Sequence, residues 1–191
     1  MILFILLLIS SSNSLDNVQR INPFSIFLDV FGFILVLVGC FGRIWSSFYI
    51  EGFKTRKLIT AGPYSLMRNP LYFFSLLILI GYLCAIKSII VAFFFIFIFI
   101  FLYIPTILNE ERVLLAAHDD KYNNYYKKTP RFFPSFKNYT KANDANELKI
   151  NIKKIDRVLI EILGFIFFYG LIRFLDFLHY NKFVNTYFIL F

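Results

Sequence analysis

The chain has 191 residues, of which 59% are hydrophobic and only 17% are charged, and its mean hydropathy is +0.67. This composition excludes a soluble globular domain of this length and predicts an integral membrane protein. The formal net charge of +8 does not indicate nucleic-acid binding, because the basic residues concentrate in two segments between apolar runs, as the positive-inside rule describes for membrane proteins.

Four apolar runs predict an all-α integral membrane protein with about four transmembrane helices. These runs cover residues 24–42, 71–86, 88–108 and 158–172. Each has the length expected of a membrane helix, or nearly so, and none shows the polar alternation of a half-exposed strand. The second and third runs are separated only by Lys87, which predicts a tight helical hairpin whose lysine reaches towards the membrane surface.

The two ends of the chain are less regular. Residues 1–9 form a short apolar run followed by SSSNS, which fits a signal segment, a truncated helix or an interfacial segment, and would make a fifth membrane helix if it inserts. The tail after residue 172 mixes charged and aromatic residues and is predicted to lie at the membrane interface. No internal repeat occurs, so residues 1–191 are predicted to form one membrane-embedded domain with its chemical motifs between residues 45 and 134.

Several residues inside the apolar runs have structural interpretations. Gly32 and Gly39 lie seven residues apart, near one helix face where another helix can approach closely. Cys40 and Cys84 both lie inside apolar runs and are predicted to be core residues rather than a disulfide. Asp29 lies inside an apolar run, where a carboxylate is a functional candidate, but its position near the helix start favours an interfacial residue. Pro105 is expected to kink the third span near its exit.

The connector at residues 58–72, LITAGPYSLMRNPLY, combines turn residues, charge and aromatic hydroxyls at a predicted membrane boundary. Gly62-Pro63 is a strong turn signal, and Pro70 disfavours helix at Asn69 while suiting the first position of the next helix. Irregular backbone near membrane depth is tolerated only when it is buried in protein or lines a polar cavity. The connector therefore predicts a pocket at the interface.

Two basic segments are expected to lie on the same side of the membrane. Residues 43–69 carry Arg43, Lys54, Arg56, Lys57 and Arg68 against a single acid, Glu51. Residues 109–157 hold eleven of the twenty Lys and Arg. Because a two-helix hairpin separates the two segments, both should be cytoplasmic, and the pocket should be built from both.

An acidic pair opens the second basic segment. Glu110 and Glu111 lie about 100° apart on a helix, so only one of them can point squarely into a pocket. Acids at a membrane interface are ordinary, and at the wet end of a helix a neutral replacement would cost the fold little. Together with Asn69, tyrosine rings and arginines, however, they suit a cationic, nucleotide-like cosubstrate and a lipid-borne acceptor.

The motifs GPYSLMRNPLYF, then EERVL, Y..Y and PRF.P, resemble those of the membrane-embedded family that includes isoprenylcysteine carboxyl methyltransferases and phospholipid N-methyltransferases. The resemblance implies S-adenosylmethionine as cosubstrate and a lipid-like or prenylated acceptor. It assigns cosubstrate binding to Gly62, Pro63, Tyr64, Asn69, Pro70, Tyr72, Glu110 and Glu111. Two departures stand out: Asn69 where many members carry His, and His118-Asp119 in place of the usual Phe-Gly.

Catalysis would require little beyond placement, because the cosubstrate activates its own methyl group. A carboxylate acceptor would be oriented by Arg68 or Arg131, whereas an amine acceptor would need a carboxylate such as Glu110 or Glu111 to take its proton. Arg68, Arg131 and Glu111 are therefore the predicted catalytic residues. The sequence leaves open whether the acceptor is a carboxylate, an amine or a thiol, and leaves the oligomeric state unknown.

Two other functions fit parts of the sequence. Membrane sterol reductases that use NADPH share a similar R-x-P-x-Y element, although they generally have more spans. A non-catalytic membrane scaffold would explain the basic segments as simple anchors. His118 and His179 have no partner at metal-ligand spacing, so no metal site is predicted, and neither is a nucleic-acid partner.

Overall fold

The computed structural model describes residues 23–51, 58–141 and 152–180. Within these ranges the protein is helical, with no strand. The elements are α1 (Pro23–Glu51), α2 (Pro63–Leu66), α3 (Pro70–Ile86), α4 (Ile89–Lys128), a 3₁₀ turn (Phe136–Asn138) and α5 (Ile152–Tyr180). Helices α1, α4 and α5 are long and apolar enough to cross a membrane, and α3 is a shorter apolar helix of 17 residues. The predicted all-α, multi-pass integral membrane protein is thus confirmed, while residues 1–9 lie outside the described ranges.

The core forms where α1 and α3 pack closely, because glycines on both helices remove the side chains that would separate them. A Cβ atom on Gly32 would lie 2.7 Å from the Gly81 carbonyl oxygen, and one on Gly81 would lie 2.6 Å from that of Gly32. Val36 and Cys40 of α1 are buried beside them. The predicted role of the small residues is confirmed, and both Cys40 and Cys84 are free thiols.

Helix α1 continues past Gly42 to Glu51, so the prediction that Arg43 begins a basic loop is wrong. The Arg43 guanidinium group lies between helices, where it donates to the Ser75 hydroxyl of α3 and to the Glu161 carboxylate of α5. A charged residue can remain in an apolar helix when its hydrogen bonds are satisfied by neighbouring helices, and here that condition is met.

Helix α5 likewise extends beyond the predicted span, as far as Tyr180. Arg173 and Asp176, expected in an interfacial tail, lie within this helix and form an ion pair at 2.8 Å. Arg173 also pairs with Asp29 of α1 at 2.9 Å, which explains why the helix continues: its charged residues are neutralised by other charges in the bundle. Residues 181–191 lie outside the described ranges.

The predicted hairpin between α3 and α4 is confirmed, since only Lys87 and Ser88 separate the two helices. Lys87 ends α3 in the left-handed conformation, with φ 59° and ψ 21°. Instead of reaching to the membrane surface, its ammonium group lies 3.0 Å from the Asp29 carboxylate and 2.7 Å from the Ser25 hydroxyl. The negative charge of Asp29 is a closer partner for Lys87 than water at the membrane surface. Through Lys87 and Arg173, Asp29 connects α1 to the hairpin turn and to α5 at one end of the protein.

Helix α4 loses helical geometry at Asp119, where φ is 41° and ψ is −117°. Pro105, the predicted kink, lies inside the helix, and the non-helical dihedral angles fall at Asp119 instead. These angles favour glycine, the residue that the resembling family usually has after its acidic helix. The break in helical geometry therefore lies at Asp119 and not at the proline.

Candidate active site

The turn at Gly62-Pro63 sets the geometry of the connector. Gly62 has φ 61° and ψ −129°, which only glycine adopts readily, and a Cβ atom there would collide with the Tyr49 ring. Pro63 begins α2, whose residues are all buried, and the Ser65 hydroxyl donates a 2.6 Å hydrogen bond back to the Gly62 carbonyl. The predicted turn is confirmed, and it directs Tyr64 into the protein.

The connector is joined to the segment that follows α4 by three backbone hydrogen bonds. The Gly62 amide donates to Thr140, the Arg68 amide to Pro130 and the Ser135 amide to Leu66, each at 2.9 Å. Residues 58–69 and 129–141 therefore lie together at the end of the bundle opposite Asp29. This contact agrees with a site built from both polar segments.

Glu111 lies at the centre of this contact, and it is only 7% exposed. The Asn69 side-chain amide donates to its Oε1 atom at 3.0 Å, and the Arg131 Nη2 atom lies 3.1 Å from its Oε2 atom. The Arg68 Nε atom lies 3.4 Å from Oε1 without the alignment of a hydrogen bond. Asn69, Arg68, Arg131 and Glu111 are thus brought together, but the expectation that both acids lie at the wet end of a helix is wrong for Glu111.

Asn69 is also engaged by the protein. Its amide nitrogen donates a second hydrogen bond to the Arg131 carbonyl at 3.2 Å, and the residue is 7% exposed. Because Pro70 follows, the Asn69 backbone stays non-helical and turns the side chain towards α4. The hydrogen bond to Glu111 raises the pKa of Arg131, although burial acts in the opposite direction. These contacts make the buried network a link between α3, α4 and the segment that follows α4.

Glu110 has a different environment, as expected for a neighbour about 100° away on the helix. It is exposed, and its Oε1 atom accepts a 2.6 Å hydrogen bond from the Tyr72 hydroxyl. The Tyr72 ring packs edge-on against Tyr103, with 5.2 Å between ring centroids. The exposed carboxylate is therefore oriented by α3 and remains accessible to a ligand.

The two arginines differ in their accessibility. The Arg68 side chain is 7% exposed, and its guanidinium carbon lies 3.8 Å from the centroid of the Tyr126 ring. The Arg131 side chain is 45% exposed, so part of its guanidinium group faces solvent while the rest holds Glu111. Arg131 can therefore meet a ligand anion, whereas Arg68 is enclosed by protein.

Two buried tyrosine hydroxyls have no hydrogen-bond partner among the described residues: those of Tyr64 and Tyr122. Burial raises the pKa of Tyr64 well above its usual range, and the nearby Tyr125 and Glu110 add to the effect. Tyr125 holds this turn in place, since its hydroxyl donates to the Tyr64 carbonyl at 2.7 Å. A buried, unsatisfied hydroxyl commonly marks a position where water or a ligand binds.

Tyr122 and Tyr125 were not among the predicted site residues, although the Y..Y motif contains both. Tyr122 is 2% exposed, and Tyr125 is 8% exposed. Their spacing of three residues places both on one side of the helix, which is the signal that could have identified them.

Among the described residues, no group of three or more His, Cys, Asp or Glu side chains lies close enough to hold a metal ion.

Comparison with known proteins gives matches over this region. Residues 27–121 match the family described as phospholipid methyltransferase. The chain is 34% identical over 119 residues, 62% of its length, to the cobalt-zinc-cadmium resistance protein CzcN of Cupriavidus metallidurans. It is 33% identical over 103 residues, 54% of its length, to the nickel-cobalt-cadmium resistance protein NccN of Alcaligenes xylosoxydans xylosoxydans. These matches span 53% and 48% of the two relatives, and no solved structure matches the chain significantly.

Proposed function

We propose that this chain, which belongs to the phospholipid methyltransferase family through residues 27–121, is a membrane methyltransferase that transfers a methyl group from S-adenosylmethionine to a lipid-borne or hydrophobic acceptor. The observation that carries the proposal is the exposed Glu110 carboxylate, held by Tyr72 beside the buried Glu111 network. An oriented carboxylate just beyond the apolar run of a membrane helix can offset the charge of a cationic cosubstrate close to the lipid.

The donors and acceptors around Glu110 fit S-adenosylmethionine. Glu110 would offset its positive charge, and the aromatic face of Tyr72 would add a favourable contact with a cation. The exposed part of Arg131 suits a carboxylate. The unpartnered hydroxyls of Tyr64 and Tyr122 offer buried hydrogen bonds to polar groups. When bound, the sulfonium supplies a methyl group that is already activated for in-line displacement.

The residues of the chain would then act mainly by placement. Gly62, Pro63 and Pro70 would shape the backbone around the ligand, while Asn69, Arg68 and Glu111 would keep α3 and α4 in register. For a carboxylate acceptor, Arg131 would orient the attacking oxygen. For an amine acceptor, Glu110 would take the proton, because Arg131 and Asn69 already occupy the oxygens of Glu111.

We also propose that the end of the bundle carrying the connector faces the cytoplasm, because the basic residues concentrate there. Single cysteines in place of Lys57 and Lys128 would be tested with a membrane-impermeant thiol reagent after replacing Cys40 and Cys84. Both positions should react only when the cytoplasmic face is accessible. Labelling of the two positions from opposite faces would contradict the shared pocket.

The activity is tested by incubating membranes that contain the protein with methyl-labelled S-adenosylmethionine and following label into lipid and prenylated cysteine. Glu110→Gln and Tyr72→Phe should each reduce transfer by about tenfold or more, which corresponds to the loss of about 1.4 kcal/mol of interaction. Asp156→Asn is the matched control, since Asp156 is an exposed acid on α5. Binding of NADPH instead of S-adenosylhomocysteine would favour the reductase alternative, and binding of neither would favour a scaffold.

The names of the two relatives describe resistance to cobalt, cadmium, nickel or zinc. If this chain contributes to metal tolerance, we propose that it does so by methylating a membrane component. Cells that depend on the chain for growth with cobalt or cadmium would then lose tolerance with Glu110→Gln at unchanged protein levels. If this variant keeps full tolerance although it has lost methyl transfer, metal tolerance does not depend on methylation.

A further inference from the structure

We infer that Arg43 and Glu161 form a binding site for the headgroup of a zwitterionic phospholipid, separate from the site around Glu110. The two residues lie on α1 and α5 and form an ion pair at 3.1 Å. Glu161 lies outside the residues that match the methyltransferase family, which end at residue 121. The pair links α1 to α5, whereas Glu110 lies on α4 and contacts Tyr72 of α3.

Both charges lie inside segments that are apolar enough to cross the membrane, Pro23–Ile50 and Val158–Leu178. Glu161 is three residues into its segment, a depth of about 4.5 Å along a helix, and Arg43 is seven residues from the end of its own, about 10 Å. These depths are within reach of lipid headgroups, particularly for a long arginine side chain.

The surface around Glu161 is apolar and is not covered by the described residues. Its neighbours Ile160 and Leu163 are 68% and 66% exposed, as expected for side chains that contact acyl chains. The Glu161 side chain itself is 46% exposed, and that of Arg43 is 23% exposed. At this depth, the uncovered part of the Glu161 carboxylate can interact with a polar group of the bilayer.

The two charges have the arrangement that a zwitterionic headgroup requires. Arg43 is anchored by Ser75 and packs 5.5 Å from the centroid of the Phe165 ring, so its guanidinium group has a defined position. The uncovered part of that group can donate to a phosphate, and the uncovered part of Glu161 can accept from an ammonium group close by. A purely anionic headgroup would satisfy Arg43 but would meet the negative charge of Glu161.

The alternative is that the ion pair only tethers α5 to α1. Glu161→Gln separates these possibilities, because a glutamine oxygen can still accept from Arg43 and preserve the tether while the negative charge is lost. Asp156→Asn is the control, since it removes one exposed negative charge from the same helix.

The experiment uses the full chain in nanodiscs with equal amounts of phosphatidylethanolamine and phosphatidylglycerol, without S-adenosylmethionine, and measures retained lipids by native mass spectrometry. The parent and Asp156→Asn should retain mainly phosphatidylethanolamine. Glu161→Gln should shift the ratio of the two lipids by about tenfold towards phosphatidylglycerol, equivalent to about 1.4 kcal/mol.

An unchanged lipid ratio in Glu161→Gln would overturn the proposal, whatever the effect of the substitution on thermal stability. The ion pair would then only tether α5 to α1. The same shift in Asp156→Asn would also overturn it, because the effect would then follow overall charge and not this pair. Since the assay contains no cosubstrate and follows no methyl transfer, its result is independent of whether the proposed methyltransferase activity is correct.

Discussion

Replacing Glu111 by glutamine is expected to destabilise the folded protein much more than the same replacement at Glu110. Glu111 is 7% exposed, and its charge is balanced by Arg131 at 3.1 Å and by Arg68 at 3.4 Å. Glutamine can still accept from Asn69, but it leaves the enclosed Arg68 without a counter-charge. Glu110 is exposed and would lose only the charge on its hydrogen bond with Tyr72.

The difference in stability can be bounded from these environments. Removing one partner of a buried ion pair costs about 3–5 kcal/mol, because an uncompensated charge remains. We expect about 3 kcal/mol for Glu111→Gln, since Arg131 is 45% exposed and water can screen the charge that it keeps. For Glu110→Gln we expect at most about 1 kcal/mol, the worth of one exposed hydrogen bond. In a chain of this size, about 3 kcal/mol lowers the midpoint of thermal unfolding by roughly 6–12 °C.

Thermal unfolding in detergent micelles, followed by circular dichroism and by the fluorescence of the single tryptophan, Trp45, measures this difference. S-adenosylhomocysteine binding is measured on the same samples, and we expect the Glu110 variant to be the one that stays stable and loses affinity. Equal unfolding temperatures for the two variants would refute the assignment of Glu111 to the buried network. A stable Glu111 variant that fails to bind would make Glu111 the ligand residue instead.

Tyr64→Phe should stabilise the ligand-free protein by about 1 kcal/mol at neutral pH, because it removes an unpartnered buried hydroxyl, while weakening S-adenosylhomocysteine binding. Burial raises the pKa of Tyr64 on folding, so ionisation of this residue in the unfolded chain lowers the stability of the parent as pH rises above about 10, and the phenylalanine variant should not show this alkaline loss. Asp119→Gly should raise stability by about 1 kcal/mol in denaturation experiments, whereas Asp119→Ala keeps a Cβ atom at φ 41° and should give no gain. Asp29→Asn should destabilise the folded protein by about 2 kcal/mol, because Lys87 and Arg173 lose their shared partner, and adding Lys87→Met should recover part of this loss. An unfolding temperature of Asp29→Asn equal to that of the parent would contradict this prediction.

The sequence alone determined the class of protein and the location of its chemistry. Apolar runs of membrane length must form helices in a bilayer, because no other single segment satisfies its own backbone hydrogen bonds there. The turn at Gly62 was also readable, since its positive φ is a local property of glycine and proline in succession. At Asp119 only the resemblance to a family that usually has glycine there indicated an unusual turn geometry.

Only the tertiary structure decided which charged residues are paired and which are available to a ligand. Glu110 and Glu111 are equivalent in sequence, but the approach of Asn69 and Arg131 from other segments buries one and leaves the other exposed. The ends of α1 and α5 also depended on distant partners, because Arg43 and Arg173 stay helical through ion pairs with residues more than a hundred positions away. Charge pairing between helices is a property of their packing, and neither local propensity nor hydropathy contains it.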